Sequence, residues 1–423
     1  MNKKVLLISF DFPPRPGIGG NRIFGLAKYL PYFGWEPIVL TGKLPKHTNL
    51  DCLVIESNFS DKIDVVKNIF GYPLGKSIYE ENGVLKKVNR KRNSFLIRSL
   101  NFLKWLILYP DRYSSWYDYA IRDIESLIKD NQIHGIISSL NPIVSHKIAK
   151  YVKTKTNILW IADYRDLWSN NHYLDVFPLQ RRLMFIYERM IIKKADYLVT
   201  VSEPLAKDLS ILHHKPVEII LTGYDPEETN ICVKSNCFSI IYTGQLLKGR
   251  RDPTILFIAI NEALAEGIFS KSEISISFYG QFSNWLQQLI ISYNLTDCVK
   301  QMGFIEKDKV RIMQHEAQLL LLLNWDHESD IGNYTGKIFE YLSAKRPIIS
   351  IGREESVVSK LINVTETGIS SNNLISIKSF LIQKYIEFKE TGEVKYNGIE
   401  NELNKYTQIR MAEQFSNLLN HKN

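Results

Sequence analysis

Short apolar runs alternate along the chain with longer stretches of helical period, a pattern that predicts parallel sheets joined by crossover helices. In the first half, Lys4–Phe10, Glu36–Thr41, Cys52–Glu56, Gly135–Ser138, Ile158–Asp163, Tyr197–Val201 and Val217–Leu221 read as strands. Between them Arg22–Tyr32, Trp116–Asn131, Pro142–Lys153 and Gln180–Lys194 carry helical spacing. A turn-rich, polar stretch from Thr222 to Asn236 reads as a linker. The alternation then restarts with Phe238–Thr243, Ile274–Tyr279, Cys298–Met302, Leu319–Leu323 and Pro347–Ile351. The expected class is α/β, as two doubly wound Rossmann-like domains: residues 1–222, a linker over 223–236, and residues 237–399. Apolar Leu403, Ile409, Met411, Phe415 and Leu418-Leu419 predict a helix within 400–423, capping the second domain or crossing back to the first.

Composition narrows this picture. With 423 residues, 45% of them hydrophobic, the chain is long enough for two cores, and 22 Gly and 15 Pro exclude a collagen-like or disordered chain. The net charge of +8 leaves nucleic acid, a membrane surface or an anionic substrate open. Four scattered cysteines, none in a CxxC pair, suit reduced thiols better than a disulfide framework or a zinc site. The apolar run Val5–Phe10 meets Asp11 and a Pro-Pro pair, so it reads as a strand rather than an export signal. No apolar stretch reaches the roughly 18 residues that a membrane span needs, which points to a soluble or peripheral protein.

Chemistry is expected just beyond the carboxyl ends of the strands. After the first strand, Asp11 to Arg22 carries Gly19-Gly20 into a helix start, where backbone N–H groups can meet an anion. It is neither GxGxxG nor a Walker A loop, and an ordinary glycine-rich turn is the other reading. The fifth strand ends in Asp163-Tyr164-Arg165-Asp166, which is either a polar recognition group or a structural ion-pair network. His146, in the first turn of a helix, either contacts ligand from that crevice or is a core histidine. In the second half Gly244 precedes Lys248, Arg250 and Arg251, cations that either neutralise a diphosphate or form a solvated run. The segment Gly332 to Pro347 offers a loop entering a helix, with Thr335, Gly336 and Lys337 at its start. Glu340 follows one turn later and can accept both hydroxyls of a ribose or pair on the surface with Lys337.

Together these segments resemble the retaining GT-B glycosyltransferases of family 4 (GT4), which serve bacterial surface polysaccharide biosynthesis such as capsule and lipopolysaccharide. The resemblance runs over most of the chain. It rests on Gly19-Gly20, the Asp163–Trp168 block, Ala195-Asp196, Val201-Ser202, Thr222-Gly223-Tyr224-Asp225, the glycines 244, 280 and 303, and Gly336–Tyr341. It implies a GT-B fold whose second domain takes a nucleotide-diphosphate sugar and whose first takes a saccharide or lipid-linked saccharide acceptor across a cleft. By the same resemblance Glu340 holds the ribose, while Thr335–Lys337 and Lys248–Arg251 hold the diphosphate. Gly19-Gly20 closes on the donor, and His146 and Arg165 face sugar or acceptor. Two positions depart from the family: Gly332 stands where its Glu-x7-Glu has the first Glu, and Gln245 where an Arg is usual.

Such a transfer passes through an oxocarbenium-like state, so the protein must stabilise the leaving diphosphate and align the acceptor. No Asp-x-Asp stands at a strand end. The expectation is therefore a metal-independent enzyme without cofactor, with the sugar nucleotide as substrate, and Lys248 and Lys337 among the catalytic cations. Residues 85–109 add Lys86, Lys87, Arg90, Lys91, Arg92, Arg98 and Lys104 among aromatic and aliphatic residues, with no acidic one. This reads as a peripheral anchor on an anionic membrane, which the resemblance would place on the inner face of the plasma membrane, or as a helix packed on the first domain. No nucleic-acid recognition motif accompanies it, and nucleic acid is not an expected partner. A non-hydrolysing sugar-nucleotide epimerase and a catalytically silent GT-B binding partner remain the rival functions.

Overall fold

The computed structural model describes residues 3–15, 19–46, 50–64, 102, 105–130, 132–171, 174, 176–228, 237–247 and 250–421. It divides into two compact units: Met1–Thr200 with Asp208–Glu218 and Ser416–Asn423, and Val201–Lys207 with Ile219–Phe415. Much of the basic stretch within 85–109, the 229–236 part of the expected linker, and Lys248 lie outside the described residues.

The first unit is built on β1 (Lys3–Ile8), β2 (Trp35–Gly42), β3 (Leu53–Ser57), β4 (Gly135–Ser139), β5 (Leu159–Tyr164), β6 (Tyr197–Thr200) and β7 (Val217–Ile219). They form a seven-stranded sheet in the order β3-β2-β1-β4-β5-β6-β7, parallel from β3 through β6. Its helices are α1 (Gly19–Tyr29), α2 (Trp116–Lys129), α3 (Val144–Thr156) and α4 (Pro178–Ile192), with α5 (Glu203–His213) from Asp208 onward. The first helix starts three residues earlier than its apolar spacing suggests. Pro31 then turns the predicted last turn into a separate 3-10 segment, Leu30–Phe33, because proline cannot donate to a helix interior. Pro178 occupies the first position of α4, and Gln180 Oε1 accepts the N–H of Phe177 at 2.8 Å to close that end.

The second unit carries β8 (Phe238–Thr243), β9 (Ile274–Tyr279), β10 (Val299–Gly303), β11 (Leu319–Leu323), β12 (Ile348–Ile351) and β13 (Gly368–Ser370). All pair in parallel, in the order β10-β9-β8-β11-β12-β13. Its helices are α6 (Thr254–Ala265), α7 (Asn284–Ser292), α8 (Lys307–Glu316), α9 (Gly336–Ala344), α10 (Val357–Thr365), α11 (Leu374–Thr391) and α12 (Glu400–Leu403), followed by α13 (Gln408–Asn420), which belongs to this unit up to Phe415 and to the first from Ser416. Strand alternation divides the core between two faces. Phe238, Ile240, Tyr242, Leu319, Leu321 and Leu323 pack with α6 and α11, whereas Ile241, Leu320 and Leu322 pack with α9 and α10. Burial on both faces is why β11 is five leucines in a row, each worth about 2 kcal/mol. The chain after α12 returns to the turn before β8. Tyr224 N–H donates to Tyr406 O, and Gln408 N–H donates to Tyr224 O, both at 2.8 Å. Among the described residues no helix is long and apolar enough to cross a membrane.

Candidate active site

Each sheet reverses its winding once, between β1 and β4 in the first unit and between β8 and β11 in the second. Ligands of doubly wound sheets bind beyond the carboxyl ends of the strands at such points. The polar residues singled out by the sequence gather at both.

In the second unit the backbone closes tightly after β8. Gly244 N–H donates to Tyr279 O at 2.7 Å and Gly280 N–H to Gly303 O at 2.9 Å. A Cβ on Gly244, where φ is +120°, would stand 2.3 Å from Cε of Lys337, and one on Gly280 would stand 2.4 Å from the Gly244 carbonyl oxygen. Backbone contact thus excludes a side chain at Gly280, the positive φ disfavours one at Gly244, and the Lys337 stem crosses the strand end in the space so left. Lys337 is the second residue of α9. Its Nζ donates to Tyr242 Oη at 2.9 Å and sits 4.1 Å from the ring centroid, while Tyr242 Oη donates to Gln245 O at 2.8 Å. Burial drives the Lys337 ammonium well below its usual pKa, Arg251 adds to this and Glu340 opposes it. Burial likewise pushes the Tyr242 phenol up to about 12, with Arg251 opposing.

Glu340 lies one turn into α9 and is held from beneath. Gln314 Nε2 donates to its Oε2 at 3.3 Å and to Thr243 Oγ1 at 3.1 Å. Tyr341 Oη donates to Leu321 O at 3.1 Å and accepts the N–H of Thr243 at 3.2 Å, fixing α9 against β8 and β11. Thr335 and Gly336 form the entry to α9, and the buried Thr335 Oγ1 makes no hydrogen bond. The basic loop divides its cations. The Arg250 guanidinium stacks over Trp325 at 4.5 Å, and Trp325 in turn stacks on His327 with centroids 4.3 Å apart. Arg251 Nη1 donates to Gln245 O at 2.9 Å. Gly332 is buried, and the nearest carboxylate along the chain is that of the buried Asp330. Asp330 accepts from Asn333 Nδ2 at 2.9 Å and from Trp325 N–H at 3.3 Å. This strand end thus offers a helix start, an ammonium and a carboxylate one turn apart, a set suited to an oxyanion next to a hydroxyl-bearing group.

In the first unit Asp163, at the end of β5, does not pair with the adjacent Arg165. Its carboxylate is fully buried against Arg22 of α1, with Nε at 3.0 and 2.9 Å from the two oxygens and Nη2 at 2.8 Å from Oδ1. The Asp163 half of the sequence motif is therefore an internal fork–fork pair that ties α1 to the sheet. Arg165 instead pairs with Asp166 at 3.1 Å, and its enclosed Nη1 has no hydrogen-bond partner. That nitrogen lies 3.0 Å from where a Cβ on Gly19 would be, so Gly19-Gly20 and Arg165 meet at the start of α1. Asp11 stands beside them, its carboxyl pushed up by burial and restrained by Arg15, Arg165 and Arg112. His146 is fully enclosed. Its Nδ1 meets Ser138 Oγ at 2.8 Å, as does Trp160 Nε1, and burial, with His213 adding, holds its pKa down at about 3.

Arg22, Tyr242, Gln314 and Trp325 were not legible as site residues: each looks like part of a helix, a core strand or a loop until its partner is known. Among the described residues no group of three or more His, Cys, Asp and Glu is placed to hold a metal ion. A separate cavity of about 310 Å³, lined by Pro347, Gly368, Lys384 and Asn397 among others, opens near the starts of β12 and β13, at the other end of those strands.

No family model and no curated protein matches the chain. Solved structures do. Sucrose-phosphate synthase from Thermosynechococcus elongatus aligns over 98% of both chains at 14% identity, with a TM-score of 0.63. Anabaena HepE, solved in complex with UDP and glucose, aligns over 99% of both at 12% identity and a TM-score of 0.59. WaaG, a glycosyltransferase involved in lipopolysaccharide biosynthesis, aligns over 99% of this chain and 100% of its own at 10% identity and a TM-score of 0.55. At these identities the likeness establishes the fold. It is GT-B, with two parallel sheets of seven and six strands flanked by helices.

Proposed function

We propose that the chain is a glycosyltransferase of the GT4 type. It moves a sugar from a nucleotide-diphosphate sugar to a saccharide acceptor, lipid-linked, with retention of configuration, in cell-surface polysaccharide assembly. The observation that carries this reading is the strand-end arrangement of Gly244, Lys337, Tyr242 and Glu340. In it the diphosphate lies at the start of α9, over Thr335, Gly336 and Lys337. Arg251 and Lys248 add charge, Glu340 accepts the ribose hydroxyls, and Arg250 on Trp325 borders the nucleotide. In the first unit, Gly19-Gly20 and the unsatisfied Arg165 Nη1 meet the sugar or the acceptor. His146 acts from behind Ser138 and Trp160 as a neutral, positioning residue. That HepE was solved with UDP and glucose favours a uridine donor.

Departure of the diphosphate needs a counter-charge, which Lys337 and the arginines supply without a metal or cofactor. The enzyme works in the cytoplasm, peripherally on the inner face of the plasma membrane, and takes no nucleic acid. Incubation with a panel of sugar nucleotides and a membrane extract tests the whole reading. Sugar on lipid supports it, whereas an epimerised nucleotide, or binding without turnover, refutes it in favour of an epimerase or a silent partner. Loss of transfer on EDTA treatment, restored by manganese, would refute metal independence alone.

A further inference from the structure

Helix α4 keeps an apolar stripe in water besides the apolar residues that it buries. Its buried positions are Gln180, Met184, Glu188, Ile191 and Ile192, yet Leu179, Leu183, Ile186 and Met190 are exposed, three of them by more than half: Leu179 at 60%, Ile186 at 58% and Met190 at 54%. Those four residues fall at i, i+4, i+7 and i+11, a single stripe along the helix. Arg182, Arg189 and, just beyond the helix, Lys193 and Lys194 are exposed with them. The helix has one acidic residue, and it points inward. Glu188 Oε2 accepts the N–H of Ser169 at 3.2 Å and its hydroxyl proton, and Oε1 faces His213 Nε2 at 3.5 Å. The surroundings extend the pattern. Tyr109 Oη donates to Leu183 O at 3.2 Å, which sets the exposed Leu106 segment beside the helix, and Lys150 Nζ donates to Met190 O at 3.1 Å.

An exposed face that mixes large apolar residues with cations and carries no carboxylate matches an interface that is apolar inside and anionic at its edge. We propose that α4 is a lipid-contacting surface. Leu179, Leu183, Ile186 and Met190 enter the boundary between headgroups and acyl chains of an anionic bilayer, and Arg182, Arg189 and Lys193 engage its phosphates. A second copy of the chain fits this face less well, since a symmetric contact would set the cations of one α4 against those of the other without a carboxylate to pair them. The inference deepens the membrane part of the proposed function by placing contact on a surface other than residues 85–109.

The test is co-sedimentation of the full chain with vesicles of phosphatidylcholine containing about 30% phosphatidylglycerol, and with phosphatidylcholine alone. Two variants probe α4: Leu183→Gln with Ile186→Gln, and Arg182→Gln with Arg189→Gln. A third, Lys86→Gln with Lys87→Gln, Arg90→Gln and Lys91→Gln, probes the other stretch. The expected result is binding to the anionic vesicles only, reduced about tenfold or more by each α4 variant. Thermal midpoint, sedimentation coefficient and UDP-induced thermal shift should stay unchanged. Undiminished binding by both α4 variants overturns the proposal, and loss in the third variant alone would then keep the 85–109 reading. A wild-type dimer that the α4 variants dissociate assigns the face to a second copy and overturns the lipid role. Because the UDP shift is read separately, failure on vesicles leaves the nucleotide reading standing or falling by itself.

Discussion

A Cβ placed on Gly244 would stand 2.3 Å from Cε and 2.5 Å from Nζ of Lys337, so the missing side chain of one residue fixes where the ammonium of the other lies. Gly244→Ala should displace Lys337 and strain a backbone at φ +120°. The expected cost is about 1–3 kcal/mol in stability together with most of the UDP-induced thermal shift. A variant whose UDP affinity by calorimetry equals that of the wild type would remove Lys337 from the nucleotide site.

Lys337 itself is held with a depressed pKa by burial. Below the usual lysine value the unfolded chain binds a proton that the free, folded chain binds less readily. The residue therefore destabilises the empty protein increasingly as pH falls through that window. Lys337→Met should leave the unliganded protein as stable or about 1 kcal/mol more stable at neutral pH, since Tyr242 keeps its bond to Gln245 O. It should weaken UDP by about tenfold or more. A diphosphate bound beside the wild-type lysine raises its pKa, so UDP binding should take up protons. Calorimetry in buffers of different ionisation enthalpy reads this directly, and zero uptake at every pH tested would contradict it.

The Arg22–Asp163 pair is buried on both sides. Asp163→Ala or Arg22→Met should cost about 3–5 kcal/mol in urea unfolding, because each leaves an enclosed charge without its partner. Removing both should cost less than the sum of the two. Additive losses would mean that the pair carries no coupling.

His146 gives the first unit a signed response to acid. Its folded pKa is about 3 against an ordinary 6.5, so below 6.5 the unfolded chain takes a proton that the folded chain refuses. The stability linked to this residue is complete above 6.5 and is lost as pH falls toward 3, at up to about 1.4 kcal/mol per pH unit. His146→Leu should cost about 1 kcal/mol at neutral pH, through the lost bond to Ser138, and flatten the slope in that window. Equal slopes in the two proteins would show that the proton goes elsewhere.

What could be read in advance was what local chemistry encodes. The apolar run Leu319–Leu323 can only be a strand buried on both faces, and glycines at strand ends announce close backbone approach. The loop from Gly332 to Thr335 likewise announced the helix that starts at Gly336. What could not be read depended on partners distant in sequence. Arg22 and Asp163 are 141 residues apart, so Asp163 looked like a partner for its neighbour Arg165. Tyr242 reads as a core aromatic in a strand until Lys337, 95 residues on, reaches its hydroxyl. The half-buried three-residue β13 has too little apolar pattern to register. Helical spacing gave α4 correctly as a helix, but period alone does not say which of its faces the fold covers.

The backbone closure at Gly244 and Gly280 has a consequence for how the second unit would respond to systematic mutagenesis. Under the proposed function, part of the binding surface there would consist of main-chain atoms, so labelling reagents and side-chain truncation would pass over it. A full substitution scan would instead show two intolerant positions with no reactive group at either. The same closure limits redesign: in the proposed site, donor preference would be altered at Trp325 or Arg250 while the strand ends keep their bare backbone.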